Sequence, residues 1–386
     1  MMRVRRRFLS PAWLVFSLPL YLGLRLLPGL ATSPWGFGIG IAGLIGACFL
    51  IPISVRSRGR SAWVGPVALG FFSTLFVMAV LRDVVLLCAR ALFGSTAYTE
   101  LVGPSAIYAL IITALFTLAG LLLARRPRLV SVDIPIARLP ASLHGFSIAQ
   151  ISDLHVGPTI RRGFVERLVA RVNDLGADLI AITGDLVDGS VEQLANHTAP
   201  LSKLTARHGA FFVTGNHEYY SGERAWTKEI ERLGLTVLKN EHVVLRHDGA
   251  LLVLAGVDDI GAHHYDPAQR SDPAAALHGA PAGAGAKVLL AHQPSSAIAA
   301  AKAGFDVQIS GHTHGGQFWP WNHFVRFFQP FTAGLYRLKN LWVYVSRGTG
   351  YWGPPNRFGV PSEITRIRLV PELSWRPRGG VIPRPI

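Results

Sequence analysis

Four long apolar stretches in the first third of the chain restrict its possible folds more than any other feature. They cover residues 8–30, 35–55, 64–93 and 101–124. An α-helix needs about 20 apolar residues to cross the hydrocarbon core of a bilayer, and each stretch reaches that length. A buried helix of a soluble domain can imitate one such stretch, but four in succession favour a membrane. We therefore expect residues 1–128 to form an all-α transmembrane region of four helices.

The basic residues of this region predict its orientation. Residues 1–128 contain 13 of the chain's 38 basic residues and two of its 23 acidic residues, so the remainder carries a net charge of only +4. The arginines precede the first stretch, lie between the second and third, and follow the fourth. By the positive-inside rule, this predicts four crossings with the rest of the chain in the cytoplasm. The expected partner is a lipid bilayer and not nucleic acid, whose binding proteins concentrate positive charge on the globular part.

Two local features leave alternatives open. Residues 5–9 (Arg-Arg-Arg-Phe-Leu) resemble a twin-arginine export signal, which would place the globular part on the other side of the membrane. Arg82 and Asp83 interrupt the third stretch. Charged residues inside a membrane often have a function, but the helix can also end just before them, or they can pair with each other. The only two cysteines, Cys48 and Cys88, lie in apolar stretches, so no disulfide framework and no thiolate metal site is expected.

The remainder of the chain has the pattern of an α/β (α+β) fold. We expect a proline-containing linker over residues 129–143, a globular domain over 144–371 and a Pro/Arg-rich tail over 372–386. In the globular domain, short apolar runs end in polar clusters and are followed by helix-like stretches. The five runs that carry these clusters are 146–151, 179–183, 211–214, 288–291 and 305–310. Because α/β sheets usually build their sites at the carboxyl ends of strands, we expect the clusters to meet.

These polar clusters offer ligands for metal ions. They are Asp153-Leu-His155, Gly184-Asp185, Gly215-Asn216-His217-Glu218, His292 and Gly311-His312-Thr-His314. Oxygen and imidazole donors without sulfur suit Mn²⁺, Fe, Zn²⁺ or Mg²⁺, and the candidates outnumber the ligands of one ion. Two divalent metal ions about 3.5–4 Å apart, bridged by a carboxylate, would use all of them. Each cluster alone also fits a turn, a helix N-cap or a packed histidine, so the metal hypothesis depends on all five occurring together.

In content, order and spacing, the clusters resemble the motifs of the calcineurin-like metallophosphoesterases, over roughly residues 144–371. The resemblance implies a four-layer αββα β-sandwich of two mixed sheets, with a dinuclear metal site on the loops at one edge. The roles it implies are a first ion held by Asp153, His155 and His314, a second held by Asn216, His292 and His312, Asp185 as the bridge, and His217 as the catalytic group that contacts phosphate and protonates the leaving oxygen. Asp188 and Glu218 are expected to support or cap these residues.

The resemblance predicts an enzyme, a metal-dependent phosphoesterase in which a metal-bound hydroxide attacks phosphorus. Residues 318–336, shortly after His314, are dense in aromatic side chains. They form either a flap over the core or a membrane-facing entrance for an acyl chain. With residues 346–350 and 354–357, they resemble the membrane-associated bacterial branch that includes hydrolases of UDP-diacylglucosamine, which favours a lipid-linked phosphodiester or pyrophosphate. The alternatives are a nuclease or nucleotide phosphodiesterase with the same centre, and a non-catalytic membrane sensor or transporter.

Overall fold

The computed structural model describes residues 12–31, 33–56 and 61–374 and divides the chain into two compact units. The first unit comprises Met1–Leu121 with Gly353–Asn356, and the second comprises Leu122–Trp352 with Arg357–Ile386. The residues that resemble an export signal, the arginines at positions 58 and 60, and most of the predicted tail lie outside the described residues. The predicted domain boundaries remain predictions.

The first unit is helical. Its elements are α1 (Ala12–Leu30), α2 (Pro34–Arg56) and nearly all of α3 (Val64–Ala124). Within the described residues, two helical segments are long and apolar enough to cross a membrane, Pro34–Ser54 and Ser61–Ala124. Gly94 interrupts α3 with a φ of 87°, one residue after the predicted end of the third stretch. The described part of the chain thus supports one or two apolar helices, while four crossings and their orientation stay predictions.

Arg82 and Asp83 lie inside α3 and are paired within this unit. Asp83 Oδ2 accepts hydrogen bonds from Tyr21 OH and Arg25 Nε, each at 2.7 Å. The buried Arg82 guanidinium donates to Ser105 Oγ at 2.9 Å and to two backbone carbonyls. The possibility that the helix ends before these residues is wrong, because α3 continues through them. The possibility that they pair with each other is confirmed, since Arg82 Nη1 lies 3.6 Å from Asp83 Oδ1.

The second unit contains two mixed sheets of six strands each. In spatial order, the first sheet consists of β1 (Arg128–Ile136), β12 (Glu363–Pro371), β2 (Ser147–Ile151), β3 (Leu179–Thr183), β4 (Ala210–Val213) and β5 (Thr236–Val237). The second consists of β10 (Gly334–Leu338), β11 (Leu341–Val345), β9 (Val307–Ser310), β8 (Ala286–Leu290), β7 (Ala250–Gly256) and β6 (Glu241–His247). The helices of this unit are α4 (Arg162–Asn173), α5 (Val191–Thr198), α6 (Asn216–Ser221), α7 (Glu223–Arg232), α8 (Pro273–Leu277) and α9 (Ala297–Ala303).

Burial on both faces of the strands explains the sandwich. In β3, Leu179 and Ala181 belong to the core between the sheets, while the alternating residues Ile180 and Ile182 are buried on the opposite face. Since successive side chains of a strand point to opposite faces, such a continuous apolar run requires cover on both sides. A separate core joins α8 and α9 to the second sheet. The predicted metallophosphoesterase-type α/β fold with two mixed sheets is confirmed.

Strand β1 (Arg128–Ile136) lies largely within the segment 129–143 that the sequence analysis describes as a linker. It pairs in parallel with β12 over its whole length, from Arg128 opposite Glu363 to Ile136 opposite Pro371. Its Ile134 is fully buried in the core between the sheets. The prolines of this segment are typical of a linker, but Pro135 lies in β1, an edge strand. An edge strand has a hydrogen-bonded neighbour on one side only, so it tolerates the missing N–H of a proline.

The fold places the polar clusters at the carboxyl-terminal ends of parallel strands in each sheet. Strands β2, β3 and β4 are parallel neighbours in the first sheet, and β8 and β9 are parallel neighbours in the second. The carboxyl ends of parallel neighbours lie at the same edge, so the loops that follow them converge. Four of the five predicted polar clusters follow β2, β3, β8 and β9 directly, and the fifth, residues 215–218, follows β4 at the N-cap and first turn of α6.

Candidate metal centre

Three overlapping groups of ligand-type side chains meet at the strand ends. Within each group, the candidate ligand atoms lie within 4.8 Å of one another. The groups are Asp153 with His155 and His314, Asp185 with His155 and His217, and Asp185 with His292 and His312. The first and third groups match the ligand sets that the resemblance implies for two separate ions, apart from the amide Asn216.

Asp185 connects the groups. Its Oδ2 lies 3.1 Å from His292 Nε2, and 3.9 Å from the Nε2 atoms of both His155 and His217. Its Oδ1 accepts a hydrogen bond of 2.9 Å from the backbone N–H of His217. One carboxylate oxygen therefore faces imidazoles from both ligand sets, which is the arrangement expected of a bridging ligand.

Facing pairs of imidazole nitrogens show that the centre suits cations. His155 Nε2 lies 3.0 Å from His314 Nε2, and His292 Nε2 lies 3.2 Å from His312 Nδ1. The His292 Nδ1–H donates to the backbone carbonyl of Thr183 at 2.8 Å. Burial lowers the pKa of His292, but the charge of Asp185 outweighs burial and raises that pKa well above its usual range, so a positive charge is favoured at this position. With Nδ1–H held by Thr183, release of the Nε2 proton would leave a lone pair directed toward Asp185 and His312. Lone pairs directed into a shared space are ligands for a metal ion.

Two buried oxygen atoms provide a separate test of the fit. Asp153 Oδ2 and Asn216 Oδ1 are buried and have no hydrogen-bond partner among the described residues. Buried polar side-chain atoms are normally hydrogen-bonded, so an unpartnered oxygen in a cluster of ligand-type side chains is an atom that suits a bound cation. Both residues belong to the ligand sets implied by the sequence motifs. The residues present therefore fit a dinuclear divalent centre.

Asp188 orients two of the histidines. Its Oδ1 accepts hydrogen bonds from His155 Nδ1 at 3.0 Å and from His217 Nδ1 at 2.6 Å. Burial raises the pKa of Asp188, but the charge of His155 and the two hydrogen bonds outweigh burial and hold the pKa below its usual range. An ionised carboxylate only accepts hydrogen bonds, so both rings keep a proton on Nδ1. Their Nε2 atoms then face Asp185.

Glu218 holds the loops that follow β3 and β4. Its buried carboxylate accepts hydrogen bonds from the backbone N–H groups of Gly215 at 2.6 Å, Leu186 at 2.8 Å and Asp185 at 3.0 Å. Burial and the charge of Asp185 raise the pKa of Glu218 to about 7. Glu218 therefore fixes the backbone on both sides of Asp185, which gives its expected supporting role a structural basis.

The ligand loops adopt a costly backbone conformation. Five predicted ligands have positive φ angles, namely Asp153 (53°), His155 (53°), Asp185 (51°), His312 (71°) and His314 (51°). For residues other than glycine, this conformation costs of order 1–3 kcal/mol each and concentrates at functional sites. Hydrogen bonds between the loops hold it in place, including Asp153 N–H to the Gly184 carbonyl at 3.1 Å and His155 N–H to the Asp185 carbonyl at 3.0 Å.

The electrostatic environment differs between the two histidines of each set, because the pKa of His155 is raised and that of His314 lowered, while the pKa of His292 is raised and that of His312 lowered. Burial lowers the pKa of His312 to about 3, which keeps its imidazole neutral and able to bind a metal. Burial also lowers the pKa of His155, but the charge of Asp188 outweighs burial and raises that pKa to about 9. The carboxylates therefore favour positive charge beside His155, whether it comes from a proton or from a metal ion.

Sequence reasoning missed the role of Arg357. Its fully buried guanidinium donates to the backbone carbonyls of Gly350 at 3.0 Å, His314 at 3.1 Å and Arg347 at 2.7 Å. Its Nη2 also lies 2.9 Å from His314 Nδ1. Arg357 thus fastens the loop after β11 to the loop that carries His314. In the sequence, Arg357 follows Pro354-Pro355-Asn356 and belongs to no periodic pattern, so nothing local separates it from an exposed loop arginine.

Two exposed aromatic residues beside His217 were also missed. The ring centroids of Tyr220 and Trp352 lie 5.0 Å and 5.9 Å from that of His217. Their exposed fractions are 58% and 57%, so both can contact a ligand. Tyr220 was predictable in part, because a residue three positions after His217 on a helix lies on the same side. Trp352 comes from a distant loop and carries no local signal.

Comparison with known proteins identifies the family. The family model for calcineurin-like phosphoesterases matches residues 146–316. A zebrafish (Danio rerio) "transmembrane protein with metallophosphoesterase domain" is 38% identical over 304 residues, which cover 76% of this chain and 69% of that protein. The chain belongs to the calcineurin-like metallophosphoesterase family. It is a hydrolase that acts on phosphoric esters.

Further similarities extend to cattle and bacteria. A Bos taurus protein of the same description is 40% identical over 274 residues, covering 68% of this metallophosphoesterase and 61% of the relative. An uncharacterized metallophosphoesterase of Helicobacter pylori is 36% identical over 252 residues, covering 64% and 65%. Among solved structures, the NAD nucleotidase of Haemophilus influenzae is similar with a TM-score of 0.38 and 18% identity, over 53% of this chain and 50% of that one. The chain spans less than two thirds of the length of the cattle and Helicobacter relatives.

Gly311 allows a direct test of the ligand geometry of this metallophosphoesterase. A Cβ atom at Gly311 would lie 1.9 Å from Ser152 Oγ and 2.2 Å from Asp153 Oδ2. We expect Gly311→Ala to displace Asp153 and to weaken metal binding by about 10–100-fold, the usual effect of disturbing the support of a ligand. Metal content after equilibration at a series of free Mn²⁺ concentrations measures this. Gly283→Ala is the matched control, because nothing lies within 4 Å of its Cβ; equal affinity in both variants contradicts the assignment.

Proposed function

We propose that this metallophosphoesterase hydrolyses a phosphodiester or pyrophosphate bond at a dinuclear centre. The proposed ligands are Asp153, His155 and His314 for one ion, Asn216, His292 and His312 for the other, and Asp185 for both. The arrangement of Asp185 between the two sets, together with the unpartnered oxygens of Asp153 and Asn216, carries the proposal. Two bound divalent ions would neutralise charge on the phosphoryl oxygens and lower the pKa of the attacking water.

His217 is the proposed proton donor to the leaving oxygen. Its Nδ1–H is held by Asp188, so its Nε2 is the atom available to a substrate. That atom lies 3.9 Å from Asp185 Oδ2, and the side chain is partly exposed. In its imidazolium form, with Nδ1–H held by Asp188 and a second proton on Nε2, His217 can transfer the Nε2 proton to the departing alkoxide and become a neutral imidazole. Asp188 acts through His217 by fixing the orientation of its ring.

The two proposed roles predict different defects. His217→Ala should lower kcat for bis(p-nitrophenyl) phosphate by about 10²–10⁴-fold, because a general acid is lost, while metal content stays normal. Asp185→Asn should lower both metal content and kcat. Turnover and metal content measured on the same preparations separate the roles, and His278→Ala, an exposed histidine, serves as control. Near-normal turnover by metal-loaded His217→Ala would show that this residue is not the acid.

The proposed substrate is lipid-linked. The middle of the aromatic segment (residues 318–336) is exposed, with Phe327 70% and Phe328 82% accessible, whereas Phe318 and Phe331 near its ends are buried. The segment is therefore anchored in the core but presents an apolar surface, as a membrane-contacting loop does. Arg326 lies over the Phe327 ring at 5.2 Å, a pairing suited to the headgroup region. The apolar helices, and the transmembrane descriptions of the zebrafish and cattle relatives, support membrane association. We further propose four crossings and a cytoplasmic catalytic domain.

A nucleotide phosphodiesterase is the second candidate. Tyr220 and Trp352 flank His217 with exposed rings, and aromatic side chains stack on nucleobases. A nucleotide is soluble, so its hydrolysis would not require the exposed apolar surface of the aromatic segment. The two candidates therefore predict different effects of changing the aromatic segment.

Phe327→Ser/Phe328→Ser tests this choice. For a lipid-linked substrate, we expect the double variant to lose about tenfold or more in kcat/KM toward a diacyl pyrophosphate in mixed micelles, because the interfacial contact is removed. Turnover of bis(p-nitrophenyl) phosphate should stay unchanged and controls for folding. Turnover of a cyclic nucleotide by the wild-type protein that equals or exceeds turnover of the lipid would contradict the lipid assignment.

A further inference from the structure

A second polar site lies at the beginning of the second unit. It is a pocket of about 540 Å³ that shares no residue with the metal centre. We call it the arginine pocket; its lining residues are Arg125, Arg126, Pro127, Phe164, Arg167, Leu168 and Arg171. Four of the seven are arginines, and none is acidic. The pocket therefore presents positive charge over an apolar base.

Two distant segments of the chain build this pocket. Arg125, Arg126 and Pro127 directly follow Ala124, the last residue of α3. Arg167 and Arg171 lie four positions apart on α4 and therefore share one face of that helix. The Arg171 guanidinium donates to the Pro127 carbonyl at 2.7 Å and fixes α4 against the chain that leaves α3. Membrane topology requires positive charge only after the helix; it does not explain the arginines contributed by α4.

Two of the four arginines in the pocket, Arg126 and Arg167, have no charged partner among the described residues. The side chains of Arg126 and Arg167 are exposed and form no hydrogen bond or ion pair with any residue in the described ranges. Glu166, the acidic residue of α4, is engaged by Arg162 at 2.8 Å. Like charges held around one cavity repel each other, so a bound anion would stabilise the arrangement.

We propose that the arginine pocket binds the phosphate headgroup of an anionic lipid. Guanidinium groups pair with phosphate oxygens through two parallel hydrogen bonds, and four of them can surround one phosphate group. The pocket volume lies within the ~300–1,000 Å³ typical of small-ligand sites. Arg125 and Arg126 are the first residues beyond the apolar segment Ser61–Ala124, so a membrane-spanning α3 places them at the headgroup level. Phe164 supplies an apolar surface for the glycerol or first acyl carbons.

This proposal depends on α3 lying in a membrane and is independent of the hydrolytic reaction. It also gives the segment after α3, Arg125 to Pro127, a ligand-binding function in addition to connecting α3 with β1. A lipid held between the end of α3 and α4 would join the membrane-proximal chain to the catalytic domain. Loss of the lipid should therefore change thermal stability and leave turnover of a soluble phosphodiester intact.

The test uses the full chain in a neutral detergent. We expect phosphatidylglycerol in mixed micelles to raise the melting temperature in a saturable manner, and phosphatidylcholine to have no such effect. Arg126→Gln/Arg167→Gln should weaken the apparent phosphatidylglycerol affinity by about 30-fold, the effect expected from removing two basic residues at a membrane surface. Neither side chain has a partner within the described residues, so the variant should melt like the wild type without lipid.

Matched variants and ligands make the result decisive. Arg246→Gln/Arg270→Gln removes the same charge from two exposed arginines elsewhere and should keep the wild-type affinity. An equal loss in both double variants would overturn the proposal by showing a non-specific charge effect. Inorganic phosphate that stabilises the wild type as well as phosphatidylglycerol does would overturn the lipid assignment, and unchanged affinity in Arg126→Gln/Arg167→Gln would overturn the site. Turnover of bis(p-nitrophenyl) phosphate by every variant should match the wild type.

Discussion

The position of Asp185 is the constraint on which the rest of the centre depends. One of its carboxylate oxygens faces histidines of both ligand sets, and the other is fixed by the backbone N–H of His217. Glu218 holds the backbone of Asp185 and of Gly215 through one buried carboxylate. A displacement of Asp185 would therefore separate the two ligand sets and move the proposed acid at the same time.

The backbone of this arrangement is strained, and the surrounding fold must hold it in place. Five predicted ligands have positive φ angles, and several carboxylates and imidazoles of the centre are buried. Such strain persists only where the neighbouring structure leaves the backbone no alternative. The parallel strands β2, β3 and β4 supply that restriction, because hydrogen bonds between their loops continue beyond the ends of the strands. Divalent ions would further offset the repulsion between Asp153 and Asp185.

The sequence predicted those parts of the structure that depend on local pattern. Each apolar run buried on both faces, such as 179–183, was recognisable, and each polar cluster followed from its position at a strand end. Parts that depend on distant contacts were not predictable. Edge strand β1 resembled a linker because its partner β12 lies more than 200 residues away. Arg357 resembled a surface residue because its bonds to its own loop and to the carbonyl of His314, 43 residues away, depend on the folded path of the chain. The continuation of α3 through Arg82 likewise depends on partners on other helical segments.

The central claim is that two ions share Asp185, and anomalous X-ray scattering from crystals grown with Mn²⁺ tests it most directly. The account predicts two anomalous peaks about 3.5–4 Å apart with the Asp185 carboxylate between them. One peak should lie beside Asp153 Oδ2 and the other beside Asn216 Oδ1, the two oxygens that lack partners in the described residues. A single peak, or peaks that do not contact Asp185, would contradict the dinuclear centre.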